Sequence, residues 1–117
     1  QVVRLENIFY DYNKSNIRPD AAVELDKLVN TLQDNPTVKI ELSSHTDCRG
    51  KDAYNMKLSE KRAKSAVDYI ISKGVPATNI TSKGYGESLP SEKCECTKCT
   101  EDEHQRNRRT EFKVLSK

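Results

Sequence analysis

Residues 38–74 read VKIELSSHTDCRGKDAYNMKLSEKRAKSAVDYIISKG and contain a complete strand–loop–helix unit. The first five residues alternate apolar and charged side chains, which predicts a strand with one buried face. A polar loop over residues 43–50 follows. A helix begins near Asp52 and ends at Lys73, with Gly74 as a typical C-terminal stop. The apolar residues that recur in it at helical spacing are Ala63, Ala66, Val67, Ile70 and Ile71.

Strand-like alternation and helical spacing of apolar residues also occur on both sides of this unit. Upstream, residues 2–10 predict a strand with an irregularity near Glu6 and Asn7. Pro19 is well placed to start a helix, which ends before Pro36. The predicted downstream elements are a strand over residues 80–85, a short helix over residues 101–107 and a last strand over residues 109–114.

The resulting order, β-α-β-α-β-(α)-β, places one helix between successive strands. Such connections favour right-handed crossovers, parallel neighbouring strands and helices stacked on a sheet. We therefore predict a two-layer α/β sandwich with a mixed four-stranded sheet and helices packed on one face. No internal repeat or linker interrupts the chain, so residues 1–117 are predicted to form a single domain.

Composition limits the functions open to this domain. The core must be thin, because only 34% of the residues are hydrophobic and 32% are charged. The net charge of +2 argues against general affinity for nucleic acid, since polyanion binders carry a clear basic excess. No apolar run approaches the roughly 20 residues needed to cross a bilayer. The chain starts at Gln1 without a signal peptide or lipidation motif, so we expect a fragment or a mature product.

The loop over residues 43–50 carries the main candidate site. It leaves the carboxyl end of a strand, where α/β folds tend to place ligands. On a helical wheel, Arg62 falls at the edge of the buried stripe of the following helix, close to this loop. Asp47 can accept from an ammonium group and Arg62 can donate to a carboxylate, so together they match a zwitterion such as an amino acid. The alternative is a salt bridge between Asp47 and Arg62 that only steadies the loop.

Two asparagines and a basic cluster are further candidates. Asn55 shares the helical stripe of Arg62, although an ordinary early-helix asparagine is the alternative. Asn13 offers polar groups to the same ligand, or takes part in turn chemistry alone. The basic cluster over residues 106–109 predicts either contact with an anionic or carbohydrate ligand or a solvated strand edge with protective charge.

The four cysteines fit two kinds of site. Cys94, Cys96, Cys99 and His104 have a spacing that suits a tetrahedral zinc site, either structural or hydrolytic. The preferred interpretation is disulfides, with one bridge closing Cys94 or Cys96 to Cys99 and another tying this excursion to Cys48. Free thiols are the third alternative, and four cysteines permit three pairings.

Nucleophilic catalysis finds little support in the sequence. The chain has two histidines and no serine in a Gly-x-Ser-x-Gly elbow. His45 and Asp47 are two of the three or more groups that a hydrolase or metal site requires, which is weak evidence for either.

Together these residues resemble the OmpA-like peptidoglycan-binding domain, which is shared by outer-membrane porin tails, peptidoglycan-associated lipoproteins and flagellar stator proteins. The resemblance runs from Ile8 to about Val114. The stretches that carry it are FYDYNKSNI (9–17), HTDCRG (45–50), YNMKLSEKRA (54–63), GYGE (84–87) with Pro90, and NRRTE (107–111).

The resemblance implies the OmpA-like fold and a non-catalytic module that anchors the outer membrane to peptidoglycan without a cofactor or metal. In such domains an Asp of the His-Thr-Asp loop and an Arg fifteen positions later bind the free end of meso-diaminopimelate in the stem peptide. Those positions are Asp47 and Arg62 in this chain. Family positions that contact the ligand or shape its pocket are matched here by Thr46, Asn55, Arg108 and Asn13.

The main departure from the family is the Cys-rich excursion over residues 87–104, where many relatives carry a plain polar loop. Cys48 also replaces a polar residue that is common beside Asp47. The extended cysteine set resembles Bacteroidetes-like outer-membrane proteins, and an oxidising Gram-negative periplasm then favours disulfides over zinc. We accordingly expect the periplasmic, C-terminal domain of an outer-membrane protein, attached to the membrane through an N-terminal region outside this sequence.

Overall fold

The computed structural model describes residues 2–9, 14–91 and 93–117, with side chains described from Lys14 onward within these ranges. The strands are β1 (Val2–Phe9), β2 (Lys39–Ser44), β3 (Ile80–Gly84) and β4 (Arg109–Ser116), and the α-helices are α1 (Pro19–Asp34), α2 (Asp52–Ser72) and α3 (Glu101–Asn107). Two short 3₁₀ helices lie at Ala77–Asn79 and Cys96–Lys98. The mixed α/β class predicted from the sequence is confirmed.

The strands form one sheet in the order β1-β4-β2-β3. β2 and β3 are parallel neighbours, as the helical crossover through α2 predicts. The expectation of parallel neighbours is wrong for β1 and β2, because the last strand, β4, lies between them and is antiparallel to both. The predicted irregularity in the first strand is confirmed, since the register of β1 against β4 shifts between Arg4 and Phe9.

Both long helices cover the apolar face of this sheet. Ile40 and Leu42 of β2 point into the same cluster as the buried stripes of α1 and α2, whereas Lys39 and Glu41 alternate to the other face. The buried cluster consists of Ala21, Leu25, Leu28, Val29, Leu32, Ile40, Leu42, Ala66, Val67, Ile70, Val75 and Ile80. Among the residues whose side chains are described, this cluster therefore forms an apolar layer between the helices and the sheet.

A close contact fixes α2 over the end of β3. A Cβ atom added at Gly84 would clash with the backbone nitrogen of Glu60, so only glycine allows this approach. Ser59 lies at the same point, where its hydroxyl accepts a hydrogen bond from the Gly86 N–H at 2.8 Å and donates one to the Met56 carbonyl at 2.8 Å. This crossing sets the position of α2, and hence of the side chains that α2 presents to the neighbouring loop.

The short helix α3 has its own local stabilisation. Thr100 and Glu103 form a capping box, in which the Glu103 N–H donates to the Thr100 hydroxyl at 3.1 Å and the Thr100 N–H donates to the Glu103 carboxylate at 2.9 Å. The cap explains why the Cys-rich excursion ends in a regular helix at Glu101. α3 then leads directly into Arg108 and β4.

Candidate functional site

The loop after β2 is held between the ends of two other strands. The His45 N–H donates to the Arg109 carbonyl at 2.9 Å, and the Thr46 N–H donates to the Gly86 carbonyl at 2.9 Å. The loop therefore starts from a fixed position at the edge where β3 ends and β4 begins. Asp47 follows directly from this anchored pair.

Asp47 is a buried carboxylate bound by two arginines. Its Oδ2 accepts from Arg108 Nη1 at 2.6 Å and from Arg49 Nη2 at 2.8 Å, while its Oδ1 accepts from the Arg49 backbone N–H at 3.0 Å. Burial by itself favours the protonated carboxyl, but the hydrogen bonds from Arg49 and Arg108 outweigh it and hold the pKa of Asp47 below its ordinary value. Asp47 is consequently ionised at neutral pH.

Arg62 reaches the same loop from α2. Its side chain is fully buried, with Nε donating to the Lys14 carbonyl at 2.8 Å and Nη1 donating to the His45 carbonyl at 3.4 Å. The structure thus brings Arg62 to the residue that lies two positions before Asp47. The ion pairs described for Asp47 itself are those with Arg49 and Arg108.

Asn55 is a central support of the loop rather than an ordinary early-helix residue. It is buried, and its Nδ2 lies within hydrogen-bond distance of the Arg49 carbonyl at 3.0 Å, the Asp47 carbonyl at 3.4 Å and Glu87 Oε1 at 2.9 Å. One side-chain amide therefore connects the first turns of α2 to both residues of the Asp47–Arg49 pair.

Thr46 is also buried in the loop, and its hydroxyl has no hydrogen-bond partner among the residues described. Asn13, the remaining predicted ligand residue, lies outside the described residues, although Lys14, which follows it, binds Arg62 through its carbonyl. Its role stays a prediction from the sequence.

The basic cluster before β4 is not a solvated strand edge. Arg108 and Arg109 are only 3% and 5% exposed, and β4 lies inside the sheet, so of the two alternatives the exposed protective edge is wrong for both residues. Arg108 Nη2 donates to Glu101 at 2.8 Å and to Gln105 at 2.9 Å, in addition to its bond to Asp47. Arg106, by contrast, is exposed on α3.

His45 and Asp47 have different partners. The His45 ring stacks on Tyr85 with centroids 5.3 Å apart, and its Nε2 lies 3.4 Å from Glu111 Oε1. Asp47 instead binds the two arginines on the loop and beside α3. The geometry gives no support to a shared base or metal site formed by these two residues.

All four cysteines form disulfides. Cys48 is bonded to Cys96 and Cys94 to Cys99, with Cα atoms 5.8 Å and 5.5 Å apart. Cys48, Cys99 and His104 place potential ligand atoms within 4.8 Å of one another, but both sulfurs are consumed in disulfides and offer no thiolate. The zinc interpretation is therefore not supported, and the bridge from Cys48 ties the excursion directly to the residue after Asp47.

The sequence did not single out Arg49, Glu101 or Glu87 as site residues. Arg49 bonds Asp47, and its Nη1 lies 3.3 Å from Glu101 Oε2. Burial, together with the neighbouring carboxylate of Asp52, raises the pKa of Glu87 despite its hydrogen bond from Asn55. The spacing Asp47-x-Arg49 is a local signal for the first contact, whereas nothing in the sequence pairs Arg49 with Glu101.

Comparisons with known proteins agree with this fold. The OmpA family pattern matches residues 9–108. Outer membrane protein A of Shimwellia blattae is 42% identical over 86 residues, which cover 72% of this chain and 36% of that protein. The chain spans between 10% and 36% of the length of the most similar curated relatives.

Solved structures with the same fold have lower sequence identity. The peptidoglycan-associated lipoprotein from Burkholderia pseudomallei aligns with a TM-score of 0.83 at 21% identity, over 98% of this chain and 90% of its own. The cell wall anchor of the T6SS from Pseudomonas aeruginosa aligns with a TM-score of 0.78 at 21% identity, over 99% of this chain and 80% of its own.

Within the described residues, no helix combines the length and apolar character needed to cross a membrane.

The range that matches the OmpA family, residues 9–108, contains the loop with Asp47, the helix with Arg62, both disulfides and Arg108. Because this match extends over most of the sequence, the chain belongs to the OmpA family.

Proposed function

We propose that this domain binds peptidoglycan non-covalently, through the free end of meso-diaminopimelate in the stem peptide, and so anchors an outer membrane to the cell wall. The observation that carries the proposal is the meeting of two buried, opposite charges at one loop. Asp47 lies in the loop, and Arg62 reaches from α2 to the carbonyl of His45. Membership of the OmpA family supports the cell wall as the ligand.

The two side chains complement the free end of meso-diaminopimelate, where an ammonium and a carboxylate share one carbon. The carboxylate of Asp47 accepts from the ammonium, and the guanidinium of Arg62 donates to the carboxylate. Arginine presents five N–H donors in a planar fork, which suits simultaneous binding of backbone carbonyls and a ligand carboxylate. Paired opposite charges at a fixed separation select a zwitterion over a simple cation or anion.

The neighbouring residues have supporting roles in this proposal. Asn55 and Arg108 hold the loop and Asp47 in place through their hydrogen bonds. Thr46 offers a buried hydroxyl beside Asp47. Asn13 remains a proposed contact on the grounds of its sequence position.

The proposed activity is binding, in which no covalent bond is made or broken and no cofactor takes part. Two structural relatives are named a peptidoglycan-associated lipoprotein and a cell wall anchor, which supports a wall ligand for this chain as well. Two disulfides suit an oxidising periplasm. Modest affinity per domain is enough, because many tethers act together on one polymeric wall.

Co-sedimentation with purified sacculi tests this function. Asp47→Asn keeps the shape of the side chain but removes the charge that would bind the ammonium, and we expect it to abolish pelleting with the wall. Asp68→Asn is the matched control, since Asp68 is an exposed carboxylate on α2 that pairs with Lys64 at 2.7 Å. This control should pellet like the unchanged protein.

Circular dichroism of both variants shows whether each has folded. A folded Asp47→Asn protein that still pellets fully would contradict the proposal. If that variant does not fold, titration of the unchanged protein with free meso-diaminopimelate, followed by NMR, decides the matter. The proposal then requires shifts at Thr46, Asp47 and the Arg62 side chain, and their absence would overturn it.

A further inference from the structure

The negative charge of Asp47 is already paired with positive charges in this structure, so a ligand ammonium must compete for it. Its Oδ2 accepts from two guanidinium groups, those of Arg49 and Arg108, and its side chain is only 4% exposed. An incoming ammonium therefore has no open route to Oδ2 while both arginines remain. One of the two cations must give way, and the structure distinguishes between them.

Arg108 is held in place on several sides. Its side chain is 4% exposed and binds Asp47 at 2.6 Å, Glu101 at 2.8 Å and Gln105 at 2.9 Å. Moving it would leave a buried guanidinium without partners and would remove the shortest ion pair of the buried Asp47, which is costly. Arg108 is therefore a permanent partner of Asp47.

Arg49 has the opposite character. Its side chain is 34% exposed, against 4% for the side chain of Asp47 that it binds. The backbone of Arg49 is fixed separately, since its N–H donates to Asp47 Oδ1 at 3.0 Å and its carbonyl accepts from Asn55 at 3.0 Å. These two backbone contacts do not depend on which carboxylate the guanidinium binds.

A second carboxylate is in place to receive that guanidinium. Arg49 Nη1 already lies 3.3 Å from Glu101 Oε2, on a side chain that is 65% exposed. The hydrogen bond from Arg108, with further attraction from Arg49, lowers the pKa of Glu101, so this carboxylate is also ionised at neutral pH. Asp47, Glu101, Arg49 and Arg108 together form a charge-balanced cluster, in which Arg49 is the more exposed of the two cations.

We infer that Arg49 is a gate for the ammonium group of the ligand: its guanidinium occupies the ammonium position on Asp47 in the free domain and transfers to Glu101 when the ligand binds. The inference rests on the proposed function, because it assumes that the ligand ammonium pairs with Asp47. It assigns Arg49 a competing role rather than a contact that strengthens binding. A neutral donor can replace the hydrogen bond of the guanidinium but not its positive charge, so the gate also favours ligands with a free amine.

The test compares the affinities of four proteins for free meso-diaminopimelate, measured by calorimetric titration. Arg49→Gln removes the competing cation and should bind about 2- to 5-fold more tightly, which is the range expected for loss of a partly exposed ion pair. Arg49→Lys keeps the charge and should remain close to the unchanged protein. Lys64→Gln removes an equal charge from an exposed position on α2 and is the control for net charge.

A second measurement follows the gate in the unchanged protein. The Arg49 Nε–H resonance should shift as meso-diaminopimelate saturates the domain, whereas that of Arg108 should move little. Urea unfolding of each variant confirms that comparisons are made between folded proteins.

The possible outcomes distinguish a failure of the Arg49 gate from a failure of the proposed wall-binding function. If the unchanged protein binds the ligand and Arg49→Gln binds equally well or more weakly, the gate is wrong and the wall-binding function stands. If none of the four proteins binds the ligand, both are wrong. Tighter binding by Lys64→Gln to the same degree would attribute the gain to net charge and would also overturn the gate.

Discussion

At the scale of single residues, the site depends on charges buried where water cannot solvate them. Arg62 is fully buried and is compensated by backbone carbonyls of Lys14 and His45. Burial of an uncompensated charge is strongly unfavourable, so a substitution such as Arg62→Ala would disturb the fold and the ligand site together. Asp47→Asn is the cleaner probe, because the amide keeps the volume of the carboxyl group.

The depressed pKa of Asp47 predicts how stability depends on pH. A carboxyl with a lower pKa in the folded state stabilises the fold fully above its unfolded pKa of about 3.9, and this contribution is lost as the pH falls through the folded value. We therefore expect Asp47→Asn to lower the free energy of unfolding by about 3 kcal/mol at pH 7, the scale for breaking a buried ion pair. The difference from the unchanged protein should shrink below about pH 4.

Urea unfolding at pH 7, pH 5 and pH 3 measures this dependence. Asp68→Asn should show little change at any of these values, since its carboxylate is exposed and its ion pair contributes little. If the difference in the free energy of unfolding between Asp47→Asn and the unchanged protein stays constant down to pH 3, the contribution of Asp47 to stability does not depend on its ionisation.

At the scale of elements, the two disulfides have unequal effects. Cys48–Cys96 joins the ligand loop to the excursion across 48 positions, whereas Cys94–Cys99 closes a separation of 5 within the excursion. Loop-closure entropy grows with the length of the closed segment. The longer bridge is therefore expected to stabilise the folded state more, and it alone restrains the residue beside Asp47.

Replacing each bridge by a pair of serines tests this difference. Cys48→Ser with Cys96→Ser should lower the free energy of unfolding by about 4 kcal/mol, against about 2 kcal/mol for Cys94→Ser with Cys99→Ser. The first variant should also bind meso-diaminopimelate more weakly, since ordering the loop then adds to the cost of binding. Urea unfolding and calorimetric titration measure the two effects.

The second pair of substitutions serves as the control for the first. Unchanged ligand affinity and unchanged backbone dynamics of residues 45–50 in the Cys48→Ser, Cys96→Ser protein would show that the bridge does not organise the loop. The loss of stability would then be its whole contribution.

At the scale of the whole molecule, ligand binding should stabilise the fold. A ligand that binds only the folded state adds about 1.4 kcal/mol when its concentration is ten times its dissociation constant. For a domain of this size we expect meso-diaminopimelate to raise the Tm by about 5 °C under that condition. Stem tetrapeptides in which lysine or amidated diaminopimelate replaces meso-diaminopimelate lack the side-chain carboxylate that would pair with Arg62, so each should give a clearly smaller shift than the meso-diaminopimelate tetrapeptide at the same concentration.

Thermal unfolding with these three compounds measures selectivity for the zwitterion. Equal shifts for the lysine and meso-diaminopimelate tetrapeptides would show that Asp47 acts without Arg62 in recognition. The measurement uses the unchanged protein, so it does not depend on whether any variant folds.

The sequence alone predicted most of the elements, because helical and strand periodicities are local properties. α3 was predicted at its observed bounds, Glu101–Asn107, and α1 at its observed start, Pro19. The position of β4 between β1 and β2 was not predicted, since strand order depends on contacts between segments far apart in the chain. The same holds for the burial of Arg108 and Arg109, which follows from that position.

Residue types and spacings by themselves determined that Asp47 and Arg62 are the candidate pair and that disulfides are the preferred state of the cysteines. Tertiary structure alone decided that Arg49 and Arg108 share the carboxylate of Asp47, that Glu101 stands beside them, and that Cys48 pairs with Cys96. The physical reason is the distance along the chain over which each property is set. Periodicity and residue type are local properties of the sequence. Competition among several charges for one buried carboxylate arises only after distant segments have packed together.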